Sequence, residues 1–132
     1  MILDTSKVSL PDGTTKMAVE VYPGARIAMD KKSRGALVDN RVIENKNETV
    51  KLIFSNGTAL EGSRDQKVYV WTDKTLHCKK MEDVDLGDRA VGWVAGLRTV
   101  LHVAAIRYTE APHRLVGLTT SHPYVVEGVM VR

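Results

Sequence analysis

Apolar and polar residues alternate with a period of two along much of this 132-residue chain, and the alternation breaks at turn-forming dipeptides. The clearest alternation runs over residues 49–54, whose even-numbered positions are all apolar, and it stops just before Asn56-Gly57. A period of two predicts a β-strand with one buried face, and Asn-Gly is the strongest short-range signal for a hairpin. The pattern therefore predicts a strand at 49–54 that ends in a tight turn.

Further strands are predicted where apolar or β-branched runs lie between turn signals. These runs cover residues 7–10, 26–29, 68–71, 76–79, 89–94 and 99–108. A single short helix is predicted at 81–84, and residues 30–34 and 44–48 are predicted to be exposed polar loops. Short strands separated by regular turn signals predict an all-β domain, either a curved sandwich or a closed sheet.

Length and composition bound the class of protein. We expect one domain, residues 1–132, which is large enough to bury a core without disulfides or a structural metal. The formal net charge is +3, but 16 acidic residues are interleaved with 19 basic ones, so no specific nucleic-acid binding is expected. Cys78 is the single cysteine, which excludes an internal disulfide. The absence of a signal peptide or a long apolar run predicts a soluble cytoplasmic protein with no membrane partner.

Common catalytic signatures are missing from the sequence. It has no Gly-rich phosphate loop, no HExxH pair and no GxSxG elbow. Its four histidines are dispersed, so a metal site would have to be assembled from remote strands, and neither a metal nor a cofactor is expected. Trp71 and Trp93 are predicted to be core or interface side chains, because they do not interleave with a basic stripe.

Three segments, in order along the chain, match the motifs of one family. Residues 1–27 contain a strand, a Pro-Asp-Gly turn and a second turn before the next strand. Residues 63–66 read SxxQ, similar to the family's internal TxxH motif. Residues 117–132 place His122 in a small-residue turn and end in an apolar strand. On these motifs, which span nearly the whole chain, the sequence resembles an intein, the self-excising domain of the hedgehog and intein (Hint) superfamily.

The resemblance implies both a fold and an activity. The implied fold is a single curved, pseudo-two-fold, horseshoe-like all-β structure with at most short helical turns. The implied activity is protein splicing, in which the first residue attacks its preceding carbonyl and a terminal Asn later cyclises. Residues 95–98 leave no room for a homing endonuclease, so the chain resembles a mini-intein.

The resemblance also implies the partners. They are the flanking extein segments of a host protein, or a complementary intein fragment if the intein is split. The domain itself is expected to be a monomer. Splicing is a single-turnover self-processing event and not turnover of a separate substrate.

The site residues follow from the same motifs. The catalytic positions implied are Met1 at the nucleophile position, Ser63, Asp65, Gln66, His122 and Arg132, with Gly117, Thr119 and Gly128 in support. In the family, the internal motif stabilises the oxyanion and protonates the departing nitrogen.

Several of these positions depart from the family pattern. Met1 carries a thioether, which cannot perform an acyl shift. Gln66 replaces the motif histidine, and a carboxamide can donate a hydrogen bond but cannot deliver a proton near neutral pH. Gly117 stands where an acidic residue or cysteine is common, and Arg132 stands where a penultimate histidine is usual, with no Asn after it. We therefore expect this form of the chain not to splice.

Two explanations of these departures remain open, together with a different function. Either the two ends of a functional, divergent intein have been altered, or the whole domain is degenerate and keeps a structural or binding role. A small all-β binding module, such as a nucleic-acid-binding barrel, also fits the size and the period of two. Geometry discriminates between these cases, since splicing requires Met1 and Arg132 to lie close together beside Ser63, Gln66 and His122.

Overall fold

The computed structural model describes residues 1–29, 35–94 and 96–132, and these residues form one open antiparallel β-sheet. Its strands are β1 (Ile2–Leu3), β2 (Lys7–Ser9), β3 (Thr15–Met17), β4 (Arg26–Ile27), β5 (Ala36–Lys46), β6 (Thr49–Phe54), β7 (Ala59–Gly62), β8 (Lys67–Thr72), β9 (Thr75–Lys80), β10 (Arg89–Val94), β11 (Leu97–Thr109), β12 (His113–Thr120), β13 (Tyr124–Val126) and β14 (Val129–Val131). The helical elements of the described residues are two short 3₁₀ turns, Ala18–Glu20 and Met81–Asp83. The prediction of an all-β fold is therefore confirmed.

The strands with the clearest sequence pattern have the predicted positions. The strand predicted at 89–94 coincides with β10, and the hairpin predicted after residue 54 joins β6 to β7. At its turn, Gly57 has a φ angle of 88° and donates its N–H to the Phe54 carbonyl at 2.9 Å. Glycine suits this position because other residues rarely adopt a positive φ.

The longest strand that the pattern missed is β5. The loop predicted at 44–48 is wrong over residues 44–46, which belong to this strand. Most of β5 is exposed, so its sequence lacks the alternation that marks a half-buried strand. Its backbone pairs with β12 in a ladder that runs from Lys46 opposite His113 to Val38 opposite Thr120. The loop predicted at 30–34 lies outside the described residues.

The core holds both ends of the described chain. Ile2 in β1 and Val131 in β14 are each fully buried. Along β6, Val50, Leu52 and Phe54 are at most 1% exposed, as the alternation predicted. All six residues of β13 and β14 are buried as well. Removing apolar surface from water stabilises the fold by about 25 cal/mol per Å², so the terminal strands are integral parts of the sheet.

The strand order brings the two ends to one loop. β1 lies between β7 and β12, where Ile2 pairs with Gly62 and Val116. β14 lies beside β8, where Val131 pairs with Val68. Residues 63–66 connect β7 to β8. This loop is therefore flanked by the first strand on one side and by the last strand on the other.

Within the described ranges, no helix has the length and apolar character that a membrane span requires.

Candidate functional site

The loop at 63–66 binds the backbone of Met1 on both sides of its α-carbon. The Ser63 backbone N–H donates to the Met1 carbonyl oxygen at 2.8 Å. The Met1 amino group donates to Ser63 Oγ at 3.0 Å and to Gln66 Oε1 at 2.6 Å. Ser63 and Gln66 are each 5% exposed, so these contacts are shielded from solvent.

Glycine at position 62 permits this close approach. A β-carbon built on Gly62 would lie 2.4 Å from the Met1 carbonyl oxygen and 3.4 Å from the Ile2 α-carbon. These neighbours are backbone atoms of a paired strand, so they cannot move aside without displacing β1. The first residue reaches the loop because no side chain stands between them.

Asp65 sets the direction of the Ser63 hydroxyl group. Ser63 Oγ lies 2.6 Å from Asp65 Oδ1 and 3.3 Å from the Met1 carbonyl oxygen. A hydroxyl has a single hydrogen, so the shorter, charge-assisted bond to the carboxylate holds it. The bond from Ser63 lowers the pKa of Asp65, against the opposing effect of burial, and keeps the carboxyl group ionised. The oxygen of Ser63 is therefore an acceptor towards the Met1 nitrogen.

The charge on the Met1 nitrogen is influenced by several groups. Burial is the main effect and lowers the pKa of this ammonium group below its ordinary value of 8.0. The carboxylates of Asp65 and Glu44 oppose that change, whereas the Lys46 ammonium group adds to it. The nitrogen of residue 1 therefore loses its proton more readily than a free amino terminus does.

Gln66 extends the site from the first residue to the last. Its Nε2 group donates to the Arg132 carbonyl oxygen at 3.1 Å and to the Lys67 carbonyl oxygen at 3.0 Å. The Arg132 N–H also donates to the Lys67 carbonyl oxygen, at 3.1 Å. Met1 and Arg132 are consequently joined through a single buried side chain.

Gly117 faces the side chain of the first residue. It lies on β12 opposite Val42, and a β-carbon at this position would be 3.3 Å from Met1 Cγ and 3.4 Å from Met1 Cε. A side chain at position 117 would therefore contact the atoms that residue 1 projects from β1. The closing motif thus contributes to the site through its first residue.

The remaining predicted positions have other bonding partners. His122 is exposed in the turn after β12, and its carbonyl oxygen accepts a bond from Thr120 Oγ1 at 2.5 Å. Thr119 pairs with Asn40 of β5. Gly128 forms the turn between β13 and β14, where its carbonyl oxygen accepts the Trp93 N–H at 2.7 Å. In the described part of the chain, no hydrogen bond or ion pair links these residues to the loop at 63–66.

The same architecture occurs in solved structures of other proteins. The intein-like domain from Clostridium thermocellum matches with a TM-score of 0.82 at 15% sequence identity, over 99% of this chain and 96% of that chain. A DnaB intein from Synechocystis sp. PCC 6803 matches with a TM-score of 0.81, again at 15% identity over 99% and 96% of the two chains. The PabCDC21-1 intein gives a TM-score of 0.82 with the same identity and coverage.

This chain has the intein fold. The fold class predicted from the sequence, a single curved, horseshoe-like all-β Hint structure, is therefore confirmed. No protein-family model matches the chain, and no curated protein is a significant sequence match. The likeness to inteins thus lies in the backbone architecture, whereas the side chains of the loop have to be interpreted on their own chemistry.

Two adjoining clefts open beside the loop of this intein fold. One, of about 440 Å³, is lined by Met1, Glu44, Lys46, Asp65, Gln66, Lys67 and Arg132. The other, of about 560 Å³, is lined by Lys46, Asn47, Glu48, Ser63, Arg64, Asp65 and Glu82. Lys46 and Asp65 line both clefts, whereas Met1 and Arg132 line the first. Both ends of the described chain therefore border the same cleft.

Sequence reasoning missed three residues of this site. Glu44 and Lys46 lie at the end of β5, and nothing in their local sequence indicates a position beside residue 1. Gly62 directly precedes the SxxQ motif, so its position in the sequence could have indicated that it lies beside the site. Among the described residues, no group of three or more His, Cys, Asp or Glu side chains could hold a metal ion.

Proposed function

We propose that this chain is a protein-splicing domain, an intein without an endonuclease, that acts on the peptide bonds at its own two ends. One observation carries the proposal: the loop at 63–66, through its buried residues Ser63 and Gln66, binds the nitrogen and carbonyl of residue 1 and, through Gln66, the carbonyl of residue 132. The bonds to be broken would therefore lie within a single site.

The hydrogen bonds at the residue 1 nitrogen favour the product of the first step. In that step the side chain of residue 1 attacks the preceding carbonyl carbon, the C–N bond breaks, and the nitrogen leaves as an amine after gaining a proton. A backbone amide has one hydrogen, whereas the departing amine has at least two. Ser63 Oγ and Gln66 Oε1 both accept from this nitrogen, so both bonds form only after the amide has broken. Interactions that strengthen during the reaction lower its barrier.

Residue 1 decides whether this step occurs. The methionine thioether has no hydrogen to lose, so it cannot form the thioester or ester that splicing needs. We propose that a Cys or Ser at position 1, with an Asn after Arg132, completes the reaction. Gln66 cannot supply the proton for the departing nitrogen. The attacking thiol or hydroxyl of residue 1 loses one proton in the same step, and we propose that solvent passes it to the nitrogen.

The partners proposed are the segments that flank the domain in a host protein. The domain acts on them as a monomer, and a split form would use a complementary fragment. A thiol nucleophile stays reactive in the reducing cytoplasm, which is the compartment we propose; Cys78 is free and exposed.

The test is a ligation assay on the full chain. Reporter peptides are placed at both ends, Met1→Cys or Met1→Ser is introduced, and Asn followed by Ser or Cys is added after Arg132. We expect mass spectrometry to detect the joined reporters and the excised domain. The matched control keeps Met1 with the same additions and should yield no ligated product. If several different flanks give neither ligation nor cleavage, the proposal is wrong.

A further inference from the structure

The carboxamide of Gln66 is bonded at both of its polar atoms to opposite ends of the chain. Oε1 accepts from the Met1 amino group, and Nε2 donates to the carbonyl oxygens of Lys67 and Arg132. Both hydrogens of Nε2 are therefore used. With an exposure of 5%, the side chain has little contact with water that could replace these partners.

These partners allow one orientation of the carboxamide. Rotating it by 180° would place Nε2 against the Met1 ammonium group and Oε1 against two carbonyl oxygens. Every contact would then pair two donors or two acceptors, and buried polar groups without partners are strongly destabilising. The Gln66 carboxamide therefore bridges the two ends of the chain in one orientation, with its acceptor Oε1 at residue 1 and its donor Nε2 at residue 132.

The Lys67 carbonyl oxygen contacts both the Gln66 side chain and the last residue. It accepts from Gln66 Nε2 and also from the Arg132 N–H, while the Arg132 carbonyl oxygen accepts from Nε2. Arg132 is therefore fixed on both sides of its α-carbon. Any change in the donor strength of Nε2 acts on both attachments of this residue.

We propose that Gln66 couples the two ends of the domain, so that the charge on the residue 1 nitrogen sets how firmly residue 132 is held. A positive charge at Oε1 draws electron density along the carboxamide, which makes the Nε2 hydrogens better donors. Hydrogen bonds in a chain polarise one another in this way inside a protein, and charge-assisted bonds are about twice as strong as neutral ones.

The consequence for splicing is an ordered reaction, and this part rests on the proposed function. Before the first step the residue 1 nitrogen is a neutral amide, and afterwards it is an amine that can carry a proton. The bridge then tightens on Arg132, whose carbonyl belongs to the peptide leading to the downstream junction. Gln66 is thus a positioning residue that makes the downstream step follow the upstream one.

The test observes the bridge by NMR without any splicing. The sequence has a single glutamine and a single Val-Arg dipeptide. Labelling with ¹⁵N-glutamine therefore isolates the Gln66 side-chain amide, and combining ¹³C-carbonyl valine with ¹⁵N-arginine isolates the Arg132 N–H. In the native chain we expect both signals to move between about pH 6 and 9.5 with one shared apparent pKa, that of the Met1 amine.

Two controls test the coupling. One removes the charge on the Met1 nitrogen, and the other removes the Gln66 carboxamide. Acetylation of the Met1 nitrogen keeps a hydrogen-bond donor but abolishes its charge, and both signals should then stay constant over this range. Gln66→Met keeps the volume but removes the bridge, and the Arg132 signal should again stay constant. These comparisons separate the amine from the other charged groups near it, which are Asp65, Glu44, Lys46, Lys67 and Arg132, and from His122 in the turn before β13.

Three results would overturn the coupling. The first is an Arg132 signal that does not move in the native chain. The second is an Arg132 signal that moves equally in the Gln66→Met variant, and the third is movement that survives acetylation. Acetylation changes no side chain, so it decides the question even if Gln66→Met fails to fold. A chain that shows coupled titration but never ligates reporter peptides would disprove the splicing function alone.

Discussion

Ser63 Oγ and Gln66 Oε1 present acceptors to the nitrogen of residue 1, whereas Asp65 acts on that nitrogen through its charge and binds the Ser63 hydroxyl group. The Ser63 hydrogen has two possible acceptors, the Asp65 carboxylate and the more distant Met1 carbonyl oxygen. The carboxylate holds that hydrogen, with 2.6 Å between Ser63 Oγ and Asp65 Oδ1. The sequence motif predicted which residue types meet here, but not which of them donates.

A pH dependence of stability follows from the buried amine. Burial lowers the pKa of the Met1 ammonium group below 8.0, so between the folded and unfolded pKa values the folded chain binds fewer protons. The free energy of unfolding should therefore rise with pH through this window and level off above about pH 8. Urea unfolding at several pH values measures it.

The acetylated chain is the reference for this measurement, because it has no amine to titrate. Subtracting its unfolding free energy removes the contributions of histidines and carboxylates, which the two chains share. A difference that falls with increasing pH would contradict the assignment of a buried, desolvated ammonium group.

At the scale of the strands, the site depends on how closely β1 approaches its two neighbours. Gly62 on β7 faces the backbone of Met1, and Gly117 on β12 faces its side chain. The two glycines thus bracket residue 1 from opposite sides of β1. They differ in whether the atoms they face can move.

This difference predicts unequal effects of the same substitution. Gly62→Ala places a β-carbon 2.4 Å from a backbone oxygen, so we expect a loss of about 1–3 kcal/mol in unfolding free energy. Gly117→Ala meets the flexible Met1 side chain at 3.3 Å and should change stability by less than about 1 kcal/mol. Chemical denaturation of both variants checks this, and equal losses would show that β1 is not held as described.

The pairing of β5 with β12 shows why the sequence pattern did not predict every strand. Exposed, charged residues such as Glu44 and Lys46 have no periodic pattern, so their segment was predicted to be a loop. Backbone hydrogen bonds to β12 nevertheless extend the strand as far as Lys46. A ladder between distant segments depends on the partner strand, which a local pattern does not contain.

At the scale of the whole molecule, the strands after residue 95 are interleaved with groups of earlier strands across the sheet. Each of the last four strands pairs with at least one strand formed before residue 95: β11 with β10 and β6, β12 with β1 and β5, β13 with β2, and β14 with β8 and β10. The connection at 95–98 predicted from the sequence is shorter in the fold, because Leu97 and Arg98 belong to β11.

Fragments divided at this hairpin should therefore reassemble. We expect residues 1–96 and 97–132, produced separately and mixed, to form a one-to-one complex visible by native mass spectrometry. Leu115→Asp in the shorter fragment is the control, since Leu115 is fully buried opposite Leu3 and a buried unpaired charge opposes association. Fragments that stay separate would contradict the interlaced sheet, and a control that still associates would contradict the buried interface.

The sequence by itself determined the all-β class and the β6–β7 hairpin, because period-two patterns and turn dipeptides are local properties. Order along the chain also placed the SxxQ loop among the motifs that resemble an intein. Only the tertiary structure decided that Met1 and Arg132 meet at Gln66, that Asp65 holds the Ser63 hydrogen, and that Gly62 lets β1 approach. The first and the last of these facts depend on contacts between residues sixty or more positions apart. All three depend on distances of a few tenths of an ångström, which a one-dimensional pattern does not contain.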